Sequence, residues 1–260
     1  MNRCRAAAVL LLALTASAVE AADDELPAPE HYRLRLEYRD FHPGLTGEVQ
    51  KGAGGEAGTL VDVNRDLGVT DRRTFEAHGA IQLKAGHKLR LSYTRLHYED
   101  DVEEARRSFT FGDTRFERFS PLTTRLNGAF YTAEYEWDFL KGPRGFLGVL
   151  IGAKAVDVDW LILSSPDGKR ETDTTRAPAP VIGAASRVYA GRLSLEGELS
   201  GLTIGDRGTV WEAQASVRLH VSDRLALQGG YRMLKMRARE DLDLGDLRLS
   251  GFQFGAELSL

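Results

Sequence analysis

Apolar and polar residues alternate along most of the chain. In WEAQASVRLHVSDRLALQGGYRM (211–233) nearly every second residue is apolar, the pattern breaks at Ser222 and Asp223, and then it resumes. YRLRLEY (32–38) sets Tyr32, Leu34, Leu36 and Tyr38 against Arg33, Arg35 and Glu37. The same alternation runs through FEAHGAIQLK (75–84), KLRLSY (88–93), AFYTAEYEWDF (129–139), RLSLEGELSG (192–201) and the C-terminal GFQFGAELSL. A period of two sustained over such lengths specifies strand, not helix. Ten strands are predicted, at about 31–41, 73–85, 88–100, 123–139, 145–162, 176–190, 192–204, 209–221, 224–240 and 247–260. VDVNRDLGV (61–69) also starts to alternate, so eight or twelve strands are the alternatives. Residues 109–119, centred on Gly112-Asp113, read as a small hairpin.

The breaks fall into two classes. Those at 84–87, 141–144, 190–191 and 222–223 are tight. Those at 41–72, 99–122, 164–176, 205–208 and 240–246 are mostly longer and more polar. The two classes alternate, so an up-and-down arrangement gathers all tight turns at one end. Transmembrane β-barrels have this asymmetry. The expected fold is therefore an all-β antiparallel barrel, with Leu193, Leu195, Val217, Leu219, Leu225 and Leu227 facing lipid. Tyr135, Trp137, Phe139 and Phe146 flank one tight turn and suit an interfacial girdle.

Composition narrows the class. The 260 residues are 42% hydrophobic and 28% charged, with a mean hydropathy of -0.30. Beyond residue 18 no run of about 18 apolar residues could span a bilayer as a helix. A barrel needs no such run, because only alternate residues meet lipid. Arg3 and Arg5, the apolar run 6–19 and the small residues to Ala21 read as a secretory signal cut after Ala21. The expected organisation is a signal peptide at 1–21, a mobile lead-in at 22–30 and the barrel at 31–260. The single cysteine, Cys4, lies inside the signal, so no disulfide framework is expected. The formal charge is -4, and basic residues are scattered, which speaks against a nucleic-acid surface.

At residues 30–260 the chain resembles a bacterial outer-membrane β-barrel. More narrowly, GTLVDVNRDLGV (58–69) followed by HKLRLSYTRLHYED (87–100) is similar to a group of uncharacterised proteobacterial outer-membrane barrels. The final FGAELSL partly matches the assembly signal of such barrels, although this chain ends in Leu260 where an aromatic is usual. The resemblance implies a Gram-negative outer membrane, with lipid, lipopolysaccharide and the barrel-assembly machinery as partners, and no cofactor.

The candidate chemistry lies in the polar face. Arg33, Arg35, Glu37, Arg39, Glu76, His78, Lys84, Glu134, Glu136, Lys154, Arg187, Glu196, Glu198, Glu212, Arg218, Arg232 and Glu257 are expected in the lumen. There they form either a salt-bridge network that fills it or a narrow, porin-like passage. A second group is expected at the outer rim: His97, Asp100, Asp157 and Asp159. Omptin-type proteases use Asp and His at such a rim, but their catalytic motifs find no residue-by-residue match here. A lipid A-modifying enzyme needs a histidine with a serine or metal beside it, and neither His78 nor His220 has a clear serine partner in sequence. A soluble periplasmic β-barrel is the remaining alternative. No metal-ligand spacing is present. The segment 61–69 is expected to dock on the barrel through Val61, Val63, Leu67 and Val69, with Asp62 and Asp66 pairing to arginines.

Overall fold

The structure is a computed structural model and describes residues 28–164, 168–205 and 208–260. The expected export signal, and residues 22–27 of the lead-in, lie outside the described residues.

Ten long strands form the wall, and three short ones accompany them. In chain order they are β1 (Leu34–Gln50), the short β2 (Val61–Asp62), β3 (Thr74–Lys84), β4 (His87–Val102), the short pair β5 (Phe109–Phe111) and β6 (Thr114–Phe116), β7 (Leu122–Gly142), β8 (Gly145–Ser164), β9 (Lys169–Ala190), β10 (Leu193–Ile204), β11 (Gly208–His220), β12 (Leu225–Glu240) and β13 (Asp243–Ser259). Each wall strand pairs antiparallel with the next, and β13 closes on β1 from Arg35↔Ser259 to Gln50↔Leu244. The fold is a closed, all-β, antiparallel up-and-down barrel of ten wall strands. Both ends of the wall and all the tight turns sit at one end, the terminal end; the other is the loop end. Gly86, at φ 76°, makes the tight turn between β3 and β4, a backbone region that costs glycine nothing.

The outside carries an apolar belt. Leu36, Leu91, Ile151, Ile182, Leu195, Val217, Leu227 and Phe254 are all exposed on it. At its loop-end edge the rings of Tyr38, Phe75, Tyr93 and Tyr131 follow one another at 6.4, 6.0 and 5.4 Å. At its terminal edge His87, Trp137 and Phe139 stand 6.3 Å apart in succession. On β7 the belt spans Tyr131 to Phe139, about 27 Å of strand and about 20 Å of height at a tilt of about 40°. That is close to the apolar band of about 25 Å on barrels that cross a bilayer. Phe146 departs from the expected girdle: it points into the lumen, buried, with the Lys88 ammonium 3.7 Å above its ring.

Above the belt the wall continues, and its two faces exchange character. β7, β8 and β9 are 21, 20 and 22 residues long, about twice the 9–11 that a tilted strand needs to cross a bilayer. The expected long loops at 164–176 and 240–246 are mostly strand: only 165–168 and 241–242 separate the hairpin arms. In this upper part Leu96, Leu126, Val158 and Trp160 turn inward and are buried. Their neighbours Arg95, His97, Glu99, Arg125 and Asp159 turn outward and are exposed. Strand geometry is unbroken; only the chemistry on each face reverses.

One gap in the wall is filled by the first loop. β3 begins at Thr74, opposite Phe41, whereas β1 runs on to residue 50 and β4 to 102. Residues 61–73 complete this part. β2 pairs with Glu48 and Val49, Val63 N donates to Gly47 O at 3.0 Å, and Thr70 and Arg72 bind Asp100 at 2.8 and 2.7 Å. Val61, Val63, Leu67 and Val69 are fully buried. Gly68, at φ 70°, lies where a Cβ would meet Val102 at 2.3 Å. Asp66 pairs with Arg107 at 2.5 Å. Asp62 does not meet an arginine; it accepts from the backbone N–H groups of Asn64 and Arg65 at 3.0 and 2.7 Å, and so holds a tight turn together.

Candidate functional site: a charged plug beneath an apolar chamber

Inside the belt the lumen is filled with paired charges. Strand alternation turns Arg35, Glu37, Arg39, Glu76, His78, Glu134, Glu136, Lys154, Arg187, Glu196, Glu198, Glu212, Arg218, Arg232 and Glu257 inward. Arg187 binds Glu196 at 2.9 Å, and Arg218 bridges Glu196 and Glu257. Arg39 binds Glu37 at 2.6 Å. Arg90 joins Glu136 and Glu198 at 2.8 and 2.5 Å. Nearest the loop end, Lys154 binds Glu212 at 2.6 Å, and Arg232 links Glu212 and Glu76. His78 stands 3.4 Å from Glu76. A buried charge is tolerated only when paired, and this network leaves no open bore at the level of the belt.

Two positions expected in the lumen are elsewhere. Arg33 precedes β1 at a bend, donates its N–H to Leu260 O at 2.8 Å and is exposed; Tyr32 turns inward in its place. Lys84 follows a register shift between Gln82 and Lys84 that turns it out to solvent. Four plug residues were not on the expected list: Glu30, Lys88, Arg90 and Asp138. Lys88 and Arg90 obey the alternation with Leu89 and Leu91, so counting parity finds them. Glu30 precedes all periodicity. It ends a 3-10 turn (Ala28–Glu30) and is fully buried, held by Arg187 at 3.0 Å, Arg35 at 3.3 Å, Lys88 at 3.4 Å and the Tyr189 hydroxyl at 2.5 Å. The end of the expected mobile lead-in is therefore anchored inside the barrel.

Above the plug lies a chamber of about 630 Å³, within the usual range of small-molecule sites. Lys154, Glu212 and Arg232 form its floor, and Leu45, Leu96, Leu126, Phe130, Trp160, Val210, Leu234 and Leu249 line its walls. Loops cross over its mouth. Lys51 reaches Asp173 on β9 at 2.8 Å, and Gly52 N donates to Asp243 on β13 at 2.8 Å. The β5–β6 hairpin stacks Phe109 on Phe116 at 5.1 Å and is tied to β9 through Thr114 and Glu171 at 2.7 Å. The Ser108 hydroxyl and the Arg115 guanidinium hold the Glu117 carboxyl of this hairpin below its ordinary pKa.

The rim residues do not converge. His97, Asp157 and Asp159 project from the outer face, away from the chamber, whereas Asp100 is taken up by Thr70 and Arg72. His97 bonds Asn127 at 2.5 Å, and Asp159 accepts from Thr174 at 2.7 Å. Sequence adjacency of His97 to Asp100 misleads because an odd separation in a strand places two side chains on opposite faces. His220 does have a serine partner, contrary to the sequence reading: Ser194 Oγ lies 2.9 Å from its Nε2. Both are buried at the terminal end of the plug, with the Tyr189 ring 5.3 Å from the imidazole, and neither lines the chamber. Among the described residues no group of three or more His, Cys, Asp or Glu is placed to hold a metal ion.

Neither a protein-family model nor a curated protein sequence matches the chain. Solved structures do match. The outer membrane protease OmpT from Escherichia coli superposes with a TM-score of 0.59 at 9% identity, covering 87% of this chain and 97% of its own. The translocator domain of the autotransporter NalP from Neisseria meningitidis gives 0.47 at 11% identity, covering 96% and 93%. The likeness is one of fold: this is the barrel of bacterial outer-membrane proteins.

Proposed function

We propose that the protein is an integral outer-membrane barrel, sealed by its charged plug, that binds an apolar small molecule in the chamber above. The observation that carries this reading is the reversal of the lumen from paired charges to apolar walls at the level of Phe41 and Phe130. A barrel with a purely mechanical role gains nothing from an unfilled apolar space, since voids in a packed interior cost stability. The apolar belt supports residence in the bilayer, with the tight turns and both ends in the periplasm and lipopolysaccharide and phospholipid as surroundings. Export through a cleaved signal and folding by the barrel-assembly machinery belong to the same reading. The plug favours a closed lumen over a porin-like passage.

The test uses a neutral fluorescent naphthylamine and purified protein in lipid nanodiscs. Saturable binding is expected, lost when Leu126→Trp and Leu234→Trp together fill the chamber, while heat-modifiable gel migration shows that the barrel still folds. Binding no greater than to empty nanodiscs would sink the reading.

A further inference from the structure

The chamber reading above leaves open how the space is reached and by what; the inference drawn here rests on that reading. β9 and β10 part early. Their ladder runs from Ala190↔Leu193 to Ile182↔Gly201 and ends there. Above Ile182, residues 169–181 of β9 pair with β8 alone among the described residues. Pro178 and Pro180 account for this. The β8 ladder continues through both, opposite Ala155 and Ala153. A proline has no N–H, so the missing donors fall on the β10 side, where residue 180 would next meet residue 203. Proline belongs on such a free edge. β10 also ends at residue 204 after only 12 residues. The result is a notch in the upper wall. The chamber runs out into it, lined by residues 173–179 of β9 on one side and by Leu202 and Val210 on the other.

The chemistry of the notch is graded. Its lower part is apolar: Ile182, Pro180 and Pro178 are exposed in sequence up to the edge of the belt. Its upper part carries cations. Arg176 on β9 and Arg237 on β12 are exposed and border the chamber where it opens. Beside them, Lys235 and Arg248 stand directly opposite each other on β12 and β13. Like charges so placed repel. Asp246, 3.2 Å from Lys235 and 4.0 Å from Arg237, offsets one charge of the group. An apolar slot topped by unbalanced positive charge fits a molecule with a tail and a negative head.

We propose that the chamber takes the acyl chain of an anionic amphiphile from the outer leaflet. The chain passes sideways through the notch, and its carboxylate or phosphate head rests at Arg176 and Arg237. The probes are pyrenyl-dodecanoate and its neutral methyl ester, presented in phosphatidylcholine vesicles that hold the protein. The anion is expected to bind about tenfold tighter than the ester, the size of effect one charge-assisted hydrogen bond supplies. Arg176→Gln with Arg237→Gln should bring the two affinities together without weakening the ester. Pro178→Thr with Pro180→Thr should restore donors to the free edge and slow uptake of both probes. Equal affinities in the unaltered protein, or no response to the arginine and proline variants, overturn the proposal while leaving the chamber as a site for neutral molecules. Failure of either probe to bind at all overturns the chamber reading and this inference with it.

Discussion

Leu195 and Glu196 are adjacent in sequence yet face lipid and lumen. Leu195 sits on the belt, and Glu196 is buried between Arg187 and Arg218. Leu195→Arg is expected to destabilise the barrel by about 2–4 kcal/mol, the cost of an arginine near a bilayer midplane. Glu196→Ala is expected to cost about 3–5 kcal/mol, because it leaves two guanidinium groups uncompensated. Urea unfolding of the protein refolded into vesicles measures both. If Leu195→Arg were neutral, the belt would not face lipid. The face of each residue within the belt was legible in sequence, because alternation alone fixes it. Arg33 and Lys84 were not, because a bend and a register shift interrupt the count at strand ends. Glu30 could not be read from periodicity at all: its role depends on three cations brought from β1, β4 and β9.

At the scale of elements, strand existence was legible and strand length was not. KRETDTTR (169–176) is polar on both faces and reads as a loop, yet it is half of β9. Above the belt both solvents change, so the apolar side that marks a membrane strand disappears from the outer face. The segment 61–69 was legible as a docked piece from its four apolar residues, but its place in the wall was not, since that depends on how soon β3 ends. Leu67 is fully buried there, and Leu67→Ala is expected to cost about 2–5 kcal/mol of local stability. Limited proteolysis reads it: the altered protein should be cut between residues 61 and 73, whereas the unaltered protein is cut only in the glycine-rich stretch 52–58. Equal cutting of both would show that the segment is not held.

For the whole molecule, the plug predicts electrical silence. Planar-bilayer recordings should show little steady conductance, and Glu196→Ala with Arg218→Ala should raise it. A large current through the unaltered protein would overturn the sealed lumen. The plug also bears on how the barrel is made. All ten wall strands and Glu30 contribute to it, so it cannot form until β1 meets β13. A slip of one residue at that last seam would send Arg35, Glu37 and Arg39 into lipid and leave their partners orphaned. The network thus proofreads its own closure: only the correct register lets every charge find its opposite, and a misaligned barrel stays open long enough to try again.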